Sequence, residues 1–169
     1  MFAKKIKAFQ AFINAVPKPF KVSKIDPPKL TRKVESIRTD VMIGEYDADF
    51  GLDKMEFKLT FEEYDPSLFD DFGACNGKAV KLRIKGSEEN EQCELTEHEW
   101  FAVGRWKELD QGSIEAGKAG KFNISMMNLT EYTYHVGGVE KVFIDTLRGV
   151  ERYNGVDRTA ARRAAIGMA

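Results

Sequence analysis

Met55, Phe57, Leu59 and Phe61 alternate with Glu56, Lys58, Thr60 and Glu62. A period of two is that of a strand with one face on a core and the other toward water. Val80, Leu82 and Ile84 against Lys81, Arg83 and Lys85 repeat the pattern. Phe122, Ile124 and Met126 open a third run that reaches Tyr132 and Tyr134. Helical signals are short by comparison. Asp65-Pro66 reads as an N-cap with proline at the first helical position, and Gly73 as the stop. Thr159–Ala165 holds good helix formers, with Arg162 and Arg163 near the C-terminal end. The chain is therefore predicted to be mainly β, with seven or eight antiparallel strands in a sandwich or barrel and one or two short flanking helices.

The turns divide the rest. Gly137-Gly138 and Asn154-Gly155 are tight hairpin signals. Gly86-Ser87-Glu88-Glu89-Asn90-Glu91 reads as a polar hairpin tip, and Gly112–Gly120 as a glycine-punctuated loop. The strand returning over Gln92–Glu108 slips its apolar phase between Leu95 and Trp100, which predicts a bulge there. Lys7–Ile13 fits a strand or a short helix, and Pro17 and Pro19 force a turn. Phe20–Ile25 alternates poorly, and Leu30–Arg38 reads as a strand. Thr39–Leu52 shows no period and is predicted as an extended loop over 39–52. Val41, Met42, Ile43, Tyr46 and Phe50 make it too apolar to stand free in water.

One domain over 1–169 fits the length, with a C-terminal helical tail at 158–169. The formal net charge of −1 makes no general case for nucleic-acid binding. The charge is segregated, however. Met1–Arg38 carries ten Lys/Arg against two Asp/Glu, and Thr39–Asn76 carries two against eleven. A basic segment joined to an acidic one points to two surfaces that meet on neighbouring copies. Cys75 and Cys93 lack metal spacing and read as reduced, partly buried thiols of a cytosolic product. Gln10 and Asn14 interrupt what would be a signal-peptide core, and no stretch is long enough to span a membrane.

No constellation for chemistry appears. Glu97-His98-Glu99 is not a zinc motif, and no Ser sits in a nucleophile elbow. Neither Cys has a nearby His, and no glycine loop precedes a helix to cradle phosphate. No catalytic residue, metal or cofactor is expected.

The stretch Pro28-Lys29-Leu30-Thr31-Arg32-Lys33-Val34-Glu35, with Met42 and Gly51-Leu52, resembles the major tail tube protein of contractile-tailed phages. The R-type pyocin tube protein is similar. Ile144-Asp145-Thr146, Asn154-Gly155-Val156-Asp157-Arg158, Arg162-Arg163 and Ile166-Gly167 match the same family in the same order. The chain departs from the pattern at Asp40-Val41, where a glycine doublet usually precedes the methionine. The resemblance implies two packed antiparallel sheets and six copies in a ring. Rings would stack into a tube inside a sheath, with a tape-measure protein, a baseplate and passing DNA as partners. It implies a place in the virion tail after assembly in the host cytoplasm.

On that reading the loop of one copy stacks on a basic surface of another. Val41, Met42, Ile43 and Tyr46 would bury apolar area, and Asp47 and Asp49 would pair with Lys29, Arg32 or Lys33. Glu56, Glu62 and Glu94 are candidates for an acidic lumen face, because a basic bore would hold phosphates. Two alternatives stand beside it. One is a tube subunit of a pyocin-like or type VI injection machine. The other is a monomeric β-sandwich that binds a ligand through Trp100, Phe101 and Trp106.

Overall fold

The computed structural model describes residues 3–19 and 21–168; Phe20 and the terminal residues Met1, Phe2 and Ala169 lie outside the described residues. Twelve strands form among them: β1 (Lys5–Ile13), β2 (Val16–Lys18), β3 (Val22–Asp26), β4 (Arg32–Ile37), β5 (Tyr46–Leu52), β6 (Phe57–Phe61), β7 (Val80–Glu89), β8 (Leu95–Asp110), β9 (Phe122–Val136), β10 (Val139–Asp145), β11 (Val150–Tyr153) and β12 (Val156–Asp157). One helix, α1, spans Ala160–Ala165, and 3₁₀ turns occupy Pro66–Asp71 and Asn76–Lys78.

Ten strands make one antiparallel sheet in the order β12-β11-β10-β9-β8-β7-β1-β2, with β6 on β9 and β3 on β6. The sheet forks along β9. Phe57–Phe61 of β6 pair with Phe122–Met126, while β10 pairs with Glu131–Val136 of the same strand. Between the two halves Asn128 takes φ 51, and the register with β8 shifts between Val103 and Arg105. Gly104 sits at that shift. A Cβ there would lie 2.7 Å from the Met127 carbonyl oxygen and 2.9 Å from Leu129 Cδ2. Glycine thus permits the backbone approach that turns the sheet at this corner.

Both halves close on one core. Phe57, Leu59, Phe61, Phe122, Ile124 and Met126 come from one half, and Leu82, Ile84, Trp100, Ala102 and Tyr132 from the other. The predicted alternation in β6 and β7 is the observed burial alternation. The 3₁₀ turn sets Leu68 into the core and stacks Phe69 on Phe122.

Several sequence expectations are corrected. The apolar phase of β8 does not slip between Leu95 and Trp100. Leu95 is exposed, and the buried series runs His98, Trp100, Ala102, Gly104, Trp106. His98 occupies a core position, and the bulges lie at Val103/Arg105 and Trp106/Glu108. The hairpin tip is Asn90–Glu94, where Asn90 Oδ1 accepts from the Gln92 and Glu94 amides. Gly86 lies inside β7 because Trp100 packs over it. Val22–Asp26 forms a strand despite its weak alternation, since β6 supplies a paired edge. Lys5–Ile13 is extended, with Ala11 and Ile13 buried. Cys75 and Cys93 are both exposed, Cys93 in a tight turn at φ 61.

Two stability predictions arise here. Asn14 and Ala15 turn β1 into β2 with φ 50 and 65, a region costly for a residue with a Cβ. Ala15→Gly is expected to raise unfolding stability by about 1 kcal/mol in urea denaturation; a loss would show that the turn carries no strain. Asp65 caps the 3₁₀ turn, accepting from the Ser67 amide at 3.1 Å, with Lys18 Nζ 2.8 Å from its carboxylate. Burial opposes its ionisation, yet Lys18 and Ser67 bring its pKa down to about 2. The folded value lies below the unfolded one, so this contribution is present above about pH 4 and lost as pH falls through 2. It amounts to about 1–2 kcal/mol. Asp65→Asn should therefore flatten the acid limb of the stability–pH curve, and an unchanged limb would contradict the assignment.

Candidate functional site: the β4–β5 arm and its base

β4 and β5 form a separate two-stranded sheet, registered from Arg32↔Leu52 to Ile37↔Tyr46. Tyr46–Leu52, expected within the loop, is a strand. Tyr46, Ala48 and Phe50 alternate with Asp47 and Asp49, but Ala and Asp have weak strand preference and disguise the period. Only residues 38–45 turn between the strands. The hairpin leaves the body at a neck where the Asp53 amide donates to the Thr31 carbonyl at 2.8 Å. Every residue of β4 is exposed. Val41 and Ile43 at the tip are 92% and 102% exposed, and Tyr46 and Phe50 61% and 60%. A lone two-stranded hairpin is marginal in water, so this apolar arm calls for a covering surface.

The expected interface residues fall in two groups. Val41, Ile43, Tyr46 and Asp47 project from the outer arm, with Met42 half-buried at the tip. Lys29, Arg32, Lys33 and Asp49 lie nearer the base. Arg32 and Asp49, expected to pair between copies, meet inside this chain. Arg32 Nε is 3.3 Å from Asp49, and its Nη1 is 2.6 Å from Glu151. Burial disfavours the charged Arg32, yet its bond to Glu151 keeps the pKa above the ordinary value. Tyr153 also donates to Glu151, at 2.7 Å, and the Glu151 amide donates to Thr159 Oγ1.

Thr159 is buried, donates to the Gly149 carbonyl and accepts from Arg163 at 2.6 Å. Arg163 in turn binds both carboxylate oxygens of Asp157. Arg163 and the Thr159 amide hold the Asp157 carboxyl well below its usual range. The two sequence blocks, Pro28–Glu35 and Asn154–Arg163, therefore meet at the arm's base. Arg32→Ala leaves the nearly buried Glu151 short of its cation and is expected to cost about 1–2 kcal/mol. Arg32→Lys should recover only part, since an ammonium cannot bridge both carboxylates in this planar geometry. Equal stability of all three proteins in urea would contradict this.

Two adjoining clefts lie at the neck, sharing Asp53, Lys54 and Glu56. One, of about 570 Å³, has Leu52, Met55, Met127, Leu129, Ile144 and Val150 on its walls, with Lys54, Lys107 and Arg162 around them. The other, of about 450 Å³, is polar, lined by Asp26, Lys29, Asp53, Lys54 and Lys58 among others.

The three lumen candidates are not brought together. Glu56 lies at the neck, 2.6 Å from Lys107, whose hydrogen bond lowers its pKa. Glu62 is exposed just past β6, and Glu94 accepts from Asn90 in the β7–β8 turn. Trp100 and Trp106 are 6% and 4% exposed and belong to the core, so they offer no platform for a ligand. Sequence spacing gave no sign of one polar row. His98 Nε2 is 3.0 Å from Glu88 and its Nδ1 2.7 Å from the Tyr134 hydroxyl, with the ring stacked on Trp100 and Tyr134. Burial raises the Tyr134 pKa. The Tyr134 hydroxyl and the Glu88 carboxylate thus give both ring nitrogens of His98 a partner, and the row is satisfied within the core.

A family model described as phage tail tube protein FII matches residues 3–167. A tail tube protein of Escherichia phage P2 is 32% identical over 170 residues, covering 98% of each chain. Among solved structures, the sheath–tube complex of an extracellular contractile injection system in its extended state aligns with TM-score 0.55. That match has 14% identity over 75% of this chain and 87% of the other. The tube-terminating cap of the anti-feeding prophage aligns with TM-score 0.56 and 13% identity over the same shares. A forked antiparallel sheet with a projecting arm, a family match along nearly the whole length and a full-length relative agree: the chain belongs to the phage tail tube protein family and is a tail tube subunit.

Proposed function

We propose that this subunit forms six-membered rings that stack into the conduit of a contractile tail, with the β4–β5 arm as the contact between copies. The observation that carries this reading is the arm itself, a separate two-stranded hairpin with fully exposed Val41 and Ile43. Full burial of a side chain such as Val, Ile or Phe contributes about 1.5–3 kcal/mol before ordering costs. The acids Asp40 and Asp47 make no ion pair among the described residues. Exposed pairs formed with a neighbour's bases would add about 0–1 kcal/mol each and mainly set orientation.

A sheath around the tube, a baseplate, a tape-measure protein and passing DNA complete the machine, assembled in the host cytoplasm. DNA passage favours a polar bore without excess base, because each neutralised phosphate adds salt-dependent affinity. The role is structural rather than catalytic: His98, among the described residues the one histidine held by a carboxylate, is 8% exposed and belongs to the core. The test is negative-stain microscopy of the purified protein. Tubes with six-fold end views are expected; a protein that stays monomeric at every concentration contradicts the reading.

A further inference from the structure

Resting on the reading of the arm as the contact between copies, we propose where it lands: the tip of one copy seats in the apolar cleft beside the neck of another. The tip leads with Val41 and Ile43, the two most exposed large apolar side chains described, beside the acids Asp40, Glu45 and Asp47. The cleft of about 570 Å³ answers both features: of its four acids, Glu56, Asp145 and Glu151 are paired within the chain with Lys107, Arg148 and Arg32, and Asp53 makes no ion pair among the described residues. Leu52, Met127 and Val150 are half-buried on its walls, over the buried Met55, Leu129 and Ile144. Lys54 and Arg162 beside them are exposed and make no ion pair among the described residues.

The second, polar cleft, which shares Asp53, Lys54 and Glu56 with the first, offers no comparable apolar wall. A tip led by Val and Ile gains little there, because the gain scales with the apolar area both sides remove from water.

The occupant is a second copy for a geometric reason. β4 runs six residues from the neck outward, about 20 Å at 3.3 Å per residue. The tip thus stands one arm's length from its own cleft, with the Arg32–Glu151 bridge holding the base. A tip at one end and a cleft at the other make unlike surfaces, and such a head-to-tail contact propagates.

Crosslinking tests the seat. Native thiols are first removed by Cys75→Ser and by Cys93→Asn, asparagine being suited to the positive φ at that turn. Val41→Cys is then combined with Met127→Cys, or with Arg162→Cys at the exposed rim so that the test survives any loss of packing at Met127. A third pair, Val41→Cys with Lys29→Cys, probes the polar cleft. After treatment of tubes with a short bis-maleimide, the first two pairs should give ladders of covalent multimers on denaturing gels, and the third only background. Tubes that form without ladders from either of the first two pairs, or with an equal ladder from the third, overturn the seat while leaving the arm as the contact. If the cysteine-free parent and the unmodified protein form no tubes at all, the tube reading fails and the seat with it.

Discussion

Replacing Arg38–Glu45 by Asn-Gly is expected to leave a folded protein that no longer builds tubes. The replacement joins Ile37 to Tyr46, which already face each other in the hairpin register, by a two-residue turn whose twist suits antiparallel strands. β4 and β5 are kept, and none of the buried core residues is touched. Circular dichroism should stay β-rich, and the urea midpoint should move by no more than a small fraction of the whole. What is lost is the tip, with Val41 and Ile43. Those side chains contribute about 1.5–3 kcal/mol each when fully buried, and 1.4 kcal/mol is a tenfold change in an association constant. Repetition of the contact around a ring multiplies the loss. The critical concentration for assembly should therefore rise by several orders of magnitude, leaving single rings or monomers. Normal tubes from the shortened arm would show that the tip is merely solvated.

Gly104→Ala is expected to destabilise the fold by about 1–3 kcal/mol, the range of forced overpacking in a closed core. The added methyl would meet the Met127 carbonyl at 2.7 Å, Leu129 Cδ2 at 2.9 Å and Met126 Cγ at 3.0 Å. One of these is backbone and cannot swing aside. Relief would require β8 and β9 to separate where the sheet turns its corner, and the corner brings both halves onto one core. Gly44→Ala in the arm is the control: nothing lies within 4 Å of its added methyl, so its effect should stay within about 0.5 kcal/mol. Urea denaturation with an unchanged slope would report the difference as stability. Similar midpoints for the two variants would mean that the corner does not depend on glycine.

The strands that pair on both sides and bury one face were legible before any coordinates. β6 and β7 alternate cleanly because each has a core beneath it and water above. β8 misled at Leu95 because the core there accepts a histidine, satisfied by Glu88 and Tyr134 rather than by apolar contact. That partner set is invisible in sequence, being made by three strands. β5 was misread because hydrophobic periodicity searches for apolar neighbours, and its alternate positions are acids with water on both sides of the arm. The strictly alternating Tyr46-Asp47-Ala48-Asp49-Phe50 was the available signal.

The arm's apolar excess was readable, and so was its need for cover. The base of the arm was not. Arg32 and Asp49 were expected to reach across copies, but in the hairpin Asp49 lies opposite Val34, diagonally across from Arg32 and within reach of it, and the chain's own Glu151 takes the remaining guanidinium face. Two motif blocks more than a hundred residues apart thus turn out to be one piece of structure. Only the fold could place Glu151 between Arg32 and Thr159.

Hydrogen–deuterium exchange, measured on the arm in unassembled subunits and in tubes, tests the central claim most directly. Exposed two-stranded hairpins open at little cost, so amides over Val41–Phe50 should exchange fast in the free subunit. In tubes the same amides should slow by at least tenfold, while β6 and β7 are slow in both states. Arm amides that exchange as fast in tubes as in the free subunit would contradict the account.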